Sequence, residues 1–131
     1  DTKDTAYLDR GTYQLLITTL VQDFGQTGRA VVVGRASQII LAEHTQACHV
    51  KIVAPFELRC ERVVESQGVD ADGARKLVEQ HDQWRNDYLR NYHGADWDDP
   101  LLYHLTINTG KMDCDDAVDL IAEYARKLDQ R

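Results

Sequence analysis

The sequence is short of the residues that break or cross-link chains. It has two prolines, three cysteines and one methionine in 131 residues. The cysteines, Cys48, Cys60 and Cys114, are odd in number and show no CxxC spacing. That argues against a disulfide framework and against a zinc site, and is the usage expected of reduced thiols in a cytoplasm. No apolar run approaches the ~20 residues needed to cross a bilayer. The charged opening Asp1-Thr-Lys-Asp is not followed at once by an apolar segment, so no secretory leader is expected. Positive charge is also scarce: 15 Lys and Arg against 22 Asp and Glu leave a net charge of −7. A chain this acidic is expected to bind neither nucleic acid nor an anionic membrane surface, although a local basic pocket for a small anion is compatible with it. A glycine-rich phosphate loop is missing too. Gly110-Lys111 resembles the end of one, but Met112 stands where Ser or Thr belongs and Leu105 where the first glycine belongs.

What is present is an ordinary globular composition, 43% apolar and 28% charged. The length predicts one domain over residues 1–131 with a real core. Its central stretch runs from Arg29 to Leu41. Val31-Val-Val33 reads as a short strand buried on both faces, as in a parallel sheet. Gly34 then turns the backbone and Arg35 leaves the strand's carboxyl end, where open α/β sheets hold their ligands. A guanidinium there suits a phosphate or carboxylate; the alternative is a pair with a nearby Asp.

The remaining elements follow from periodicity and punctuation. Thr5 to Phe24 predicts a helix, with Tyr7, Leu8, Leu15, Leu16, Leu20 and Phe24 near helical spacing, ended by Gly25-Gln-Thr-Gly28. Ala36 to Ala42 predicts a short helix with Ile39, Ile40 and Leu41 inward. His49 to Pro55 is the second strand, stopped by a proline that suits the next helix's first turn. That helix places Arg59 and Arg62 one turn apart. Asp70 is the predicted N-cap of a long polar helix from Ala71 to about Tyr92, with Ala74, Leu77, Val78, Trp84, Tyr88 and Leu89 as its apolar stripe. Gly94 to Pro100 is a loop and Leu101 to Asn108 the third strand. Asp113 caps a closing helix from Asp115 to Leu128, with Val118, Leu120, Ile121, Tyr124, Ala125 and Leu128 inward. Strands separated by helices at this spacing predict an α/β fold with a parallel sheet and right-handed crossovers.

The candidate chemistry is anion binding. Arg35, Arg59, Arg62, Arg85 and Arg90 lie at strand ends or on the two helices after the second strand, and several could converge on one phosphate. Glu57, Glu61, Glu65 and Glu79 are the competing partners that would make them a solvated helix face. Asp82, Arg85 and Tyr88, three apart on one helix, would suit a ribose, a base edge and a phosphate; the plainer reading is an intrahelical Asp–Arg pair. Trp97 reads as a loop anchor. Asp98-Asp99 reads as a solvated acidic loop, and the five histidines show no metal-ligand spacing, so no metal site is expected. No catalytic residue can be assigned.

Val31-Val-Val-Gly-Arg-Ala-Ser-Gln-Ile-Ile-Leu41, His49-Val-Lys-Ile-Val-Ala-Pro-Phe-Glu-Leu-Arg-Cys-Glu-Arg-Val63, Asp82-x-x-Arg85-x-x-Tyr88 and Asp96-Trp-Asp-Asp-Pro-Leu-Leu-Tyr-His-Leu-Thr-Ile-Asn-Thr109 together resemble the cytidylate-kinase-like family of P-loop kinases. The resemblance implies a three-layer parallel sheet with flanking helices and a lid-like helical segment over about residues 66–100. It also implies transfer of the γ-phosphoryl of ATP to an acceptor nucleotide, with Mg²⁺. Gly34 and Arg35 would match the contact to the acceptor's phosphate, and Arg59 and Arg62 the arginines opening the lid. Asp82 and Arg85 would match the lid's far side, and Asn108, Thr109 and Gly110 the loop against adenine. Trp84 and Tyr88 interrupt the family's Arg/Asp pattern on the lid helix, which puts cytidine specificity in doubt. The family's opening strand, phosphate loop and first helix have no counterpart in these residues. That strand would lie between Val31–Val33 and His49–Ala54, so the flanking strands are expected to pair directly or to be covered by a second copy. Three functions are therefore expected. The first is a nucleotide- or phosphate-binding domain with little or no phosphoryl transfer by this chain alone. The others are a dimeric, non-enzymatic assembly protein, and a fragment of an active ATP-dependent nucleoside monophosphate kinase.

Overall fold

A computed structural model describes the chain from residue 10 to residue 131. The first expected helix begins at Thr5, and its opening residues, with Tyr7 and Leu8, lie outside the described residues. The chain divides into two compact units, Asp1–Ala47 and Cys48–Arg131.

In the first unit, α1 spans Arg10–Thr27 and α2 spans Ser37–Ile40. α1 runs three residues past the expected end at Phe24. Gly28 closes it in the left-handed region, with φ 73° and its N–H donating to the Phe24 carbonyl at 2.9 Å. Helix and turn are tied by His44, whose Nε2 lies 2.8 Å from the Gly25 carbonyl oxygen. A carbonyl only accepts, so Nε2 carries the proton. At Gly25 the Leu41 side chain approaches so closely that an added Cβ would stand 2.6 Å from it.

The valine strand is the main correction. Val31, Val32 and Val33 belong to no sheet, and Val31 and Val33 are 93% and 86% exposed. β-branched residues favour extended backbone, but a strand needs a ladder partner. Among the described residues none supplies one. The expected direct pairing with the second strand is likewise not formed.

The second unit is built around a parallel pair. β1 (Val50–Val53) and β2 (Leu105–Asn108) run side by side with Val50 opposite Leu105 and Val53 opposite Asn108. β2 is shorter than expected because Pro100–Leu102 forms a 3₁₀ turn, capped by the Asp99 carboxylate on the Leu101 N–H at 2.9 Å. Pro55 stops β1 and precedes α3 (Phe56–Gln67). α4 (Ala71–His93) starts at the Asp70 cap, whose carboxylate accepts from the Gly73 N–H at 2.7 Å. α5 (Cys114–Asp129) starts at the Asp113 cap.

α3 and α4 pack through Cys60, Ala74 and Val78, with Phe56, Val63, Val64 and Val69 around them. Ala74 is fully buried, and a small residue there lets the two helices meet closely. Tyr88, Leu89, Ile107, Ala117 and Leu128 are also buried. Trp84, Val118 and Leu120, expected inward, are exposed. Val118 and Leu120 stand next to Ala117, which is buried, and Ile121, which is half-buried, and the helical period rotates each about 100° from that neighbour. The three cysteines are free. Among the described residues no helix is long and apolar enough to cross a membrane.

Candidate functional site

The second unit has a cleft of about 290 Å³ at the carboxyl end of β1, lined by Ile52, Val53 and Ala54 and by Arg59, Asp82, Arg85, Asn86, Trp97 and Asp98. Its position follows from the chain path. Pro55 ends the strand and α3 begins at once, so Arg59 falls one turn into the helix. Its Nε donates back to the Ala54 carbonyl at 3.1 Å. Its Nη1 and Nη2 donate to Asp82 Oδ1 and Oδ2 at 2.8 and 3.1 Å, a bidentate fork across to α4. Arg85, one turn beyond Asp82, places Nη1 3.6 Å from the same Oδ1. One carboxylate thus serves two guanidiniums.

The loop after α4 forms the far wall. Trp97 lies under two cations: Lys51 Nζ and the Arg85 guanidinium carbon are each 4.3 Å from its ring centroid. Lys51 also pairs with Asp98 at 2.7 Å, and the Tyr103 hydroxyl donates to the Trp97 carbonyl at 2.8 Å. The charged residues lining the cleft are two guanidiniums, Arg59 and Arg85, and two carboxylates, Asp82 and Asp98; Lys51, paired with Asp98, does not line it.

Arg62 has a different place. Its Nη1 and Nη2 donate to Thr109 Oγ1 at 2.8 Å and to the Thr109 carbonyl at 3.0 Å. The Thr109 N–H in turn donates to the Val53 carbonyl at 2.8 Å. Asn108 folds its side-chain oxygen onto the Gly110 N–H at 2.9 Å, and Gly110 lies against the Pro55 ring. Arg62, Asn108 and Thr109 thus form a braced turn at the end of β2 and do not line the cleft. Arg35 belongs to the first unit, where its Nη1 donates to the Tyr13 hydroxyl at 3.2 Å. Gly34, Arg35 and Ala36 all have left-handed backbone, with φ of 73°, 60° and 56°. For the two non-glycine residues that conformation costs about 1–2 kcal/mol each.

Of the predicted residues, then, Arg59, Asp82 and Arg85 meet in one cleft, and Arg90 does not line it. Tyr88 turns away into a stack with Trp84, ring centroids 5.2 Å apart, because each three-residue step along a helix drifts by about 60°. Trp97, which lines the cleft, and Lys51, which holds Trp97 and Asp98 without lining it, were missed as site residues. The only signal for Lys51 was a charged residue inside an apolar strand. Its side chain is 9% exposed, an unusual burial for lysine unless paired.

A parallel strand end with converging guanidiniums is the arrangement of α/β proteins that hold anionic ligands outside the carboxyl ends of their strands. A profile of the cytidylate kinase-like family matches residues 2–111. The chain belongs to that family. A cytidylate kinase from Methanopyrus kandleri is 24% identical over 110 residues, covering 76% of this chain and 56% of that protein. One from Methanocaldococcus jannaschii is 27% identical over 109 residues, covering 81% of this chain and 61% of the relative. A Corynebacterium glutamicum protein named uronate isomerase is 32% identical over 98 residues, which are 74% of this chain but 19% of that protein. A crystal structure of an uncharacterized protein from Eubacterium ventriosum superposes with a TM-score of 0.74 at 28% identity, covering 90% of this chain and 63% of that one. The chain therefore spans from about a fifth to about three fifths of the relatives it matches.

Proposed function

We propose that this chain is the nucleotide- or phosphate-binding portion of a cytidylate kinase-like domain, and that its residues alone transfer little or no phosphoryl group. The observation that carries the reading is Asp82 shared between Arg59 and Arg85 at the end of β1. A phosphate can replace that carboxylate as the common partner of both forks, with charge-assisted bonds of the same kind. In this reading Arg59 and Arg85 face the phosphate, Asp82 accepts from a ribose hydroxyl, and Arg35 is a phosphate-binding residue of the first unit. Arg62 braces the Asn108–Thr109 turn on which the other end of a nucleotide rests. The whole chain forms one cytidylate-kinase-like domain with residues 66–100 as its lid segment, and the family match across both units supports this. The three-layer parallel sheet belongs to the same reading. The parallel pairing of β1 with β2 supports it.

ATP and Mg²⁺ are the cosubstrate and metal that the family implies. The residues present do not fit the triphosphate: the 131 residues contain no glycine-rich loop whose amides and lysine would cradle it. A fragment of an active kinase remains compatible with the share of each relative that the chain covers. The decisive experiment pairs calorimetric titration with CMP and a coupled assay with ATP, Mg²⁺ and CMP. Binding without turnover, abolished in the Arg59→Ala/Arg85→Ala double variant, is the expected result. Robust turnover by these residues alone, or binding that survives the double variant, refutes the proposal.

A second reading, a homodimeric assembly protein, is favoured by the exposed Leu15, Phe24, Val31 and Val33 of the first unit. It predicts a dimer by light scattering and no response to CMP.

A further inference from the structure

Arg59 is held at three points, by the Ala54 carbonyl and both oxygens of Asp82. Arg85 is held otherwise. Its distance to Asp82 is 3.6 Å, too long for a hydrogen bond. The group that fixes it is the Trp97 ring, 4.3 Å from the guanidinium carbon.

Trp97 is itself anchored from the sheet. Lys51, from the middle of β1, lies 4.3 Å from the same centroid and pairs with Asp98 next along the loop. Tyr103 holds the Trp97 carbonyl, and Asp98 donates its N–H to the Asp96 carboxylate at 3.0 Å. The ring is a built-in part of the cleft wall, with two cations against it.

The choice of an aromatic partner has a chemical consequence. A carboxylate holding Arg85 would consume N–H donors of its fork and neutralise its charge. A ring attracts the cation through its electron-rich face and leaves the in-plane donors and the charge available. We infer that Trp97 is a positioning residue for phosphate-ester binding: it holds Arg85 beside Asp82 so that an entering phosphate meets two oriented guanidiniums. This rests on the reading of the cleft as a phosphate site.

The test separates ring electronics from packing. Trp84 does not line the cleft, so Trp84→Phe leaves Trp97 as the single tryptophan of the 131-residue chain. In that background Trp97 is replaced biosynthetically by mono-, di- and tetrafluorotryptophan, which draw charge from the ring face with little change of shape. The dissociation constant for CMP is expected to rise stepwise, by about tenfold across the series, at a constant unfolding midpoint. Trp97→Phe, which keeps a ring, is expected to stay within about threefold of the parent, and Trp97→Leu to lose about tenfold. These two variants decide the matter if heavy fluorination lowers the midpoint. A flat series, or Trp97→Leu equal to Trp97→Phe, overturns the inference while leaving the phosphate reading intact, provided Arg59→Ala/Arg85→Ala still abolishes binding. A parent chain that does not bind CMP overturns both.

Discussion

The two units have comparable stores of apolar side chains and dispose of them differently. In residues 10–47, Leu15, Leu16, Leu20, Phe24, Val31 and Val33 are exposed, while Val21 and Ala36 are the buried apolar residues. In residues 48–131, a parallel strand pair and a close α3–α4 contact bury Cys60, Ala74, Val78, Leu89, Ile107, Ala117 and Leu128. Valine-rich stretches occur in both. Val50–Val53 became a strand because Leu105–Asn108 lies beside it in register, whereas Val31–Val33 has no such neighbour. Hydrophobicity makes a segment able to be core, and a partner in three dimensions makes it core.

The comparison can be broken by substitution. Leu89→Ala, at a position 2% exposed, should cost about 2–5 kcal/mol in chemical denaturation through lost burial and a cavity. A loss below half a kilocalorie would mean that the second unit is as loosely packed as the first. Gly110→Ala should cost about 1–3 kcal/mol, because the new Cβ would stand 2.6 Å from the Pro55 ring, which is too rigid to move aside. An unchanged midpoint would show that the braced turn after β2 yields easily.

His93, at the end of α4, sharpens the contrast by pH. Burial lowers its pKa below the ordinary 6.5. As pH falls through that ordinary value the unfolded chain takes up a proton that the folded chain refuses. Stability is therefore fully present above about pH 7 and declines below about pH 6.5. His93→Gln should flatten that part of the stability profile, and an unaltered slope would count against burial as the cause. The smallest effect belongs to the first unit. Val31→Thr and Val33→Thr should each change stability by no more than about 0.5 kcal/mol. A larger loss in the protein as isolated would show that those valines are covered in solution.

Much of this could be read along the chain. The helix bounds, the Asp70 and Asp113 caps, the Pro55 stop and the strand at Val50–Val53 follow from spacing and local hydrogen-bonding chemistry, which involve residues a few positions apart. Arg59, Asp82 and Arg85 were recognisable as candidates by type and by likeness to the family. The exposure of Trp84, Val118 and Leu120 was harder to read, since a helix shows its period without showing which neighbour will cover which face. Lys51 was hidden because a single lysine in a strand looks like any half-exposed residue.

The sequence by itself determined the order of the helices and of the two paired strands, where most of the helices begin and end, the acidic balance and the presence of arginines after β1. Tertiary structure alone decided their use. Arg59 reaches Asp82 across 23 positions and Arg62 reaches Thr109 across 47, so one became a cleft residue and the other a brace. Such pairings depend on how strands and helices lie side by side, and local pattern carries no measure of that distance.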